Sequence, residues 1–467
     1  ILFKFIFFFC ISMKEFEISF FFIYYFNLDT ITFYSKGDLD LRYLENTQYN
    51  GTYGWYNPET FQIYVSGHYD GQTFNIDQKQ VLRHELLHYL HFTSTTLGVF
   101  FINNNFRELN SICKWKHNPD VNLSTINHVH DTVIKINRTK SLLTVPSYYF
   151  EKGHKYNAIE DPNTWGVITS LGSFFQNNGK RSDYNFIMHR FTLGNPQYAN
   201  DAVARISLGT KYLYEHLIKF MDMMIDMERF GLEEAYENHF DNAYSGPLLP
   251  YSALALICAK NGVKALNAFI LSSILSHLSL MVPFKWTNKT SGLRKYIESY
   301  INNTFTLKNY SFKLAHPSVV VEAFLQKSIE LGAADINFLE MFNSNNNYEV
   351  LNNYLEKLCN GFGFSVSDLF ELYQHELTQL RKQSIHPKLM PIKEKICEEV
   401  EINLTTKKDN FAKYIISPHK TKYQPFVQTD SSFIEGNLTT YEEKEFLESL
   451  IEYRDEMLRF SFERNLI

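Results

Sequence analysis

In the run Val81-Leu-Arg-His84-Glu85-Leu-Leu-His88-Tyr-Leu90, two histidines stand four positions apart with a glutamate directly after the first. On a helix this spacing puts both imidazoles on one face, where their nitrogens can converge on a single Zn2+ at about 2.0–2.1 Å. Glu85 lies beside that face, within reach of a zinc-bound water. Zinc lowers the pKa of such a water toward about 7, Glu85 can take its proton, and the hydroxide attacks a carbonyl polarised by the metal. Returned to the leaving amine, that proton completes the hydrolysis of a peptide bond. A second His-Glu pair, in His375-Glu-Leu-Thr-Gln379, lacks the second histidine and reads as plain helix.

The motif needs a helix to present it. Asp77 is suited to cap the start of one, and Val81, Leu82, Leu86 and Leu90 recur at helical spacing after it. Upstream, Thr30-Ile-Thr-Phe-Tyr, a turn at Ser35-Lys-Gly and the alternation Phe61-Gln-Ile-Tyr-Val predict strands of a small sheet. Residues from Phe101 to Lys155 are rich in Asn, His and Ser without a sustained period, which predicts an insertion or long loop. From Ala202 onward helical patterns dominate. The apolar run Ser252–Met281, broken by Lys260, Asn261, Lys264 and Asn267, suits a packed helical domain rather than a membrane span. Tyr441–Arg464 reads as an amphipathic helix with a packing role. The expected order is an apolar segment over 1–29, a sheet-and-helix domain over 30–245 with an insertion at about 101–155, and a helical domain over 246–467.

The run Gly51-Thr-Tyr-Gly-Trp-Tyr-Asn-Pro-Glu-Thr-Phe-Gln-Ile-Tyr-Val, followed by Gly71-Gln-Thr-Phe-Asn-Ile-Asp-Gln-Lys-Gln-Val-Leu-Arg-His-Glu-Leu-Leu-His-Tyr-Leu, resembles the catalytic domain of the bacterial collagenases of clostridial and vibrio type. There a glycine-led strand pair precedes a helix with an Arg-His-Glu-x-x-His-Tyr-Leu signature, which Arg83 to Leu90 reproduce. Leu208-Gly-Thr-Lys-Tyr-Leu-Tyr-Glu-His-Leu-Ile-Lys-Phe is similar to a later helix of that family, so the resemblance covers Thr30–Asp241. It implies an α+β fold with a small N-terminal sheet and a zincin helix, followed by a mainly helical region. The implied activity is that of a gluzincin, a zinc endopeptidase acting on protein or peptide, with a structural Ca2+ as a further cofactor. The resemblance also implies an edge strand that holds the substrate as an added strand, with Phe61–Val65 in that place and Ile63 and Tyr64 contacting substrate.

The family's third zinc ligand is a glutamate in a Thr-Trp-x-Glu-Glu helix, but Thr164-Trp-Gly-Val-Ile-Thr-Ser-Leu-Gly-Ser-Phe174 has Val167 and Ile168 at those positions. Two substitutes are available, Glu108, taken as the ligand for its gluzincin-like spacing from His88, and Glu160. If neither binds, the chain is a degenerate relative that acts as a binding or effector protein. His189, Tyr198, Tyr212, Tyr214 and His216 stand open as stabilisers of the oxyanion.

Composition narrows the partners. With 45 basic and 51 acidic residues the net charge is -6, so no excess positive field exists for nucleic acid. A hydrophobic share of 45% excludes global disorder, and five widely spaced cysteines without a CxxC pair imply neither a disulfide framework nor a thiolate zinc site. Ile1–Phe26 is almost wholly apolar apart from Lys4 and Lys14-Glu15-Phe16-Glu17 and is shorter on either side than a span of about 20 residues. Read as a signal or anchor, it predicts a secreted or membrane-associated protein. Sequons at Asn50, Asn122, Asn137, Asn288, Asn302, Asn309, Asn403 and Asn437 carry meaning only in an exported chain.

Overall fold

The first long helix starts at a reciprocal cap. The Asn75 side chain accepts from Gln78 N at 2.8 Å, and Gln78 Oε1 accepts from Asn75 N at 3.2 Å. Together they satisfy two N–H groups that a helix start leaves unpaired. The helix, α1, runs Ile76–Thr93, and its cap lies two positions before the expected Asp77. The computed structural model describes residues 54–116, 129–139, 148–150, 165–175, 181–193, 202–231, 249–305, 312–338, 348–416 and 421–463, apart from a few positions within these ranges. The segment Ile1–Phe26, the Thr30–Tyr34 strand, Glu160 and Tyr198 lie outside the described residues.

The expected insertion begins instead with a helix, α2, over Thr96–Lys116. Its buried face carries Phe101, Ile102, Phe106, Leu109, Ile112 and Cys113, and the asparagines that obscured the period are themselves structural. Asn105 Nδ2 donates to Glu59 O at 3.0 Å, while Asn110 accepts from His386 N at 2.7 Å and donates to Ser384 O. Polar side chains that bind the backbone of other segments can sit on a buried helix face. Between α1 and α2 the chain turns so tightly that a Cβ on Gly98 would stand 1.8 Å from Phe92 O.

Below α1 lies the first sheet. β1 (Gly54–Asn57) and β2 (Gln62–Val65) pair antiparallel, with Trp55 opposite Tyr64. Phe61 enters β2 at a φ of 55°, costly for a bulky residue, and its buried ring stacks on Phe106 at 6.0 Å. On its other side β2 pairs in parallel with β7 (Phe426–Thr429), which pairs with β8 (Phe433–Ile434), giving the order β1-β2-β7-β8. Half of this sheet therefore comes from the far end of the chain. The expected boundary near residue 245 does not separate two self-contained units.

A second, antiparallel sheet has the order β3-β6-β5-β4, from Tyr148–Phe150, Ala202–Ile206, Arg181–Leu193 and Trp165–Phe175. The segment compared with a ligand-bearing helix is thus strand β4. Its Val167-Ile168-Thr169 run is β-branched and favours a pleated strand, and Gly172 leaves room for the ring of Phe186 across the hairpin. Strands accordingly occur in the middle and near the end of the chain, not only ahead of the helices.

Helices supply most of the rest: α3 (Thr210–Phe230), α4 (Leu249–Lys260), α5 (Ala265–Met281), α6 (Ser291–Thr304), α7 (Pro317–Glu330), α8 (Glu349–Asn360), α9 (Val366–Lys382), α10 (Met390–Asp409), α11 (Phe411–Ile416) and α12 (Tyr441–Glu463). The result is an α+β fold in which helices dominate. The apolar run over 252–281 forms α4 and α5, separated at Gly262, whose φ of 88° suits only glycine. Buried Phe269, Ile270, Ile274 and Leu278 put α5 at the centre, packed on α3, α4 and α7. Among the described residues no helix is long and apolar enough to cross a membrane. His375 is exposed on α9, as plain helix requires.

Candidate metal centre

Residues 84 and 88 stand one turn apart on α1, with ring centroids 5.1 Å from each other. Facing them is Glu215, from the second turn of α3, so that His84 Nε2 lies 3.6 Å from one carboxylate oxygen and His88 Nε2 3.5 Å from the other. The three donor atoms fall within 4.8 Å of one another. A tetrahedral zinc with ligands near 2 Å spaces its donors about 3.3 Å apart, so two nitrogens and an oxygen in this arrangement fit the ion. The helices meet through Leu87 and Leu90 of α1 against Ile218 and Met221 of α3.

Around the donors the charges are arranged in layers. His84 Nδ1 donates to Asp222 Oδ2 at 2.8 Å, and Asp222 is also 3.5 Å from Arg83. Asp222 lies two turns beyond Glu215, on the same face of α3. Burial opposes charge on His84, but Asp222, Glu215 and Glu85 outweigh it and hold the imidazole well above its usual value. His88 goes the other way: burial dominates over Glu215 and lowers it to about 4. Burial would raise Glu215 and Asp222, yet the histidines beside them leave both carboxyls below their usual range. A carboxylate that contacts the second ring nitrogen fixes which nitrogen faces a metal.

Glu85 is buried beside the donors, under β1. A Cβ on Gly54 would meet Val81 Cγ1 at 2.2 Å and approach Glu85 Cγ to 3.3 Å, so only glycine lets this strand lie so close to the carboxylate. Tyr251, half-buried at the start of α4, packs edge-to-face on Tyr212 at 6.3 Å. Burial raises its phenol well above the usual value, with Glu215, Tyr212 and Glu85 adding to the effect.

Several expected site residues lie elsewhere. Glu108, taken as the third ligand, is wholly buried on α2, with its carboxylate 3.8 Å from Arg454 of α12; the carboxylate that meets the histidines is Glu215. Ile63 and Tyr64 belong to a strand paired on both sides, so its main chain has no free edge for a substrate. Ile63 is buried, and the Tyr64 hydroxyl donates to Asp430. Among the described residues β1 is the outer strand on the Glu85 side. Of the residues considered for an oxyanion, Tyr214 is bound to Thr95 at 2.8 Å, His216 Nε2 accepts from Leu254 N at 3.4 Å, and Tyr212 is buried. His189 faces Glu322 of α7 at 3.5 Å, both wholly buried.

Glu215, Asp222 and Tyr251 were not singled out from the sequence. A signal existed for the first: Glu215 stands as the one carboxylate among Tyr212, Leu213, Leu217, Ile218, Phe220 and Met221, a mainly apolar stretch of helical spacing. A carboxylate on a buried helix face must have a partner. In comparison with known proteins, the chain matches no family model, no curated protein and no solved structure.

Proposed function

We propose that this protein is a zinc-dependent peptidase of the gluzincin type, with His84, His88 and Glu215 as the metal ligands. The observation that supports it most is the convergence of these donors from two helices, with Glu85 buried alongside. Zn2+ held there would supply Lewis acidity, lowering the pKa of a water toward about 7 and polarising the scissile carbonyl. Glu85 takes the proton of the attacking water on its carboxylate and gives it to the leaving amine. Asp222 keeps His84 in the tautomer that presents Nε2. The Tyr251 hydroxyl, protonated at neutral pH, donates to the oxygen on which negative charge develops. The substrate backbone adds to the outer edge of β1, in place of the edge expected at Phe61–Val65.

Elemental analysis of the purified chain, beside peptide cleavage, tests the reading. The wild type should hold about one zinc per chain and cleave unstructured peptides, as expected for one three-ligand site. The Glu85→Gln variant should keep the zinc and lose turnover. Zinc without turnover would make the centre structural and favour a binding protein; absence of zinc would overturn the assignment.

A further inference from the structure

Lys407, near the end of α10, is wholly buried. Its Nζ lies 2.9 Å from each of three atoms, Ser94 O, Ser94 Oγ and His277 Nε2, and none belongs to a carboxylate. Burial pushes the amine well below the usual lysine range. A neutral amine is satisfied here, giving two N–H groups to Ser94 and accepting from His277 Nε2–H.

The partners matter because of where they sit. Ser94 caps the C-terminal end of α1, six residues after His88. His277 belongs to α5, which packs along α3, the helix that carries Glu215. Two further groups hold the same end of α1: the Tyr373 hydroxyl donates to Thr93 O at 2.6 Å, and Asn403 Nδ2 donates to Thr93 Oγ1 at 3.1 Å. From Ser94 to His88 is about 9 Å of stiff helix, so a shift at the cap is carried to the ligands, and a metal site tolerates only about 0.5 Å.

We propose that Lys407 is a positioning residue for the metal centre, tying the helix that carries two ligands to the helix that backs the third. The inference rests on the reading of His84, His88 and Glu215 as ligands. Lys393 provides a matched control, because it too is a buried lysine that donates to the carbonyls at a helix end, those of Arg381 in the last turn of α9 and Gln383 just after it.

The test is zinc affinity of the full-length chain by competition with a chromophoric chelator, measured well below each variant's melting temperature. Lys407→Met should weaken zinc binding about 10- to 100-fold, the range seen when outer-shell partners are removed. Lys393→Met should lower the melting temperature and leave the affinity at the wild-type value. Should Lys407→Met fail to fold, Tyr373→Phe is read instead, with a loss of about 10-fold expected, since Lys407 and Asn403 still hold the same helix end. Wild-type affinity in Lys407→Met, or in Tyr373→Phe where that variant stands in, overturns the proposal while leaving the metal centre intact. A wild type that binds no zinc overturns both.

Discussion

Among the described residues, two places bring a buried histidine to 3.5 Å from a buried glutamate: His88 with Glu215, and His189 with Glu322. The pairs differ in what surrounds them. His88 lies on a helix, and periodicity puts His84 one turn away on the same face. His189 lies on strand β5, where its neighbours Met188 and Arg190 point to the opposite face, and among the described residues it joins no group of three possible metal donors. Glu215 offers one oxygen to each histidine, whereas Glu322 gives Oε1 to Tyr300 at 2.8 Å and Gln326 at 3.0 Å. Among the described residues, His189 has no hydrogen bond on either ring nitrogen and Glu322 none on Oε2. Proximity of histidine to carboxylate is therefore not what makes a chelate. What sets the candidate centre apart is a second donor at helical spacing.

The sharpest test substitutes the two histidines in turn. His88→Ala should reduce zinc affinity by about a thousandfold or more, since a two-ligand site binds weakly, while His189→Phe should leave zinc content unchanged. Loss of zinc in the second variant would erase the contrast. Asp222→Asn comes next: it keeps the size of the side chain that contacts His84 Nδ1 but not its charge, and should weaken zinc binding about 10-fold.

Proton release sharpens the comparison further. Asp222, Glu215 and Glu85 hold His84 above its usual value, so it keeps its proton to higher pH than His88, which burial lowers to about 4. Zinc must displace the His84 proton, so affinity should rise about tenfold per pH unit until the pH passes the His84 pKa. Calorimetry in buffers of different ionisation enthalpy should report about one proton released per metal, and none would place the shift elsewhere. The smallest effect belongs to Glu108→Gln. It should leave zinc binding untouched and cost about 1–2 kcal/mol in a denaturant titration, because Glu59 still pairs with Arg454 at 2.6 Å.

What the sequence made legible was local. The helix carrying His84, Glu85 and His88 follows from the spacing of its own residues, and strand β2 from alternation between turns. The third donor was hidden because Glu215 converges on the histidines only through the packing of α3 on α1, which no local pattern encodes. Glu108 satisfied a spacing rule, but its helix turns the carboxylate toward Arg454. The second sheet was missed for a different reason. A glycine-containing β-branched segment lacks the clean alternation that marks a strand, and its match to a ligand-bearing helix was one of sequence alone.

The parallel pairing of β2 with β7 bears on how the chain reaches this state. Gln62 and Gln428, joined through their side chains across that pair, are 366 residues apart. During synthesis, the side of β2 that will accept β7 stays bare until residues 426–429 have left the ribosome. Pairings of such sequence separation form late, and an open strand edge is a template for association with other chains. A fragment that ends soon after the histidine motif would thus carry the chemistry-bearing residues on an incomplete sheet, and aggregation rather than a minimal folded unit is its expected fate.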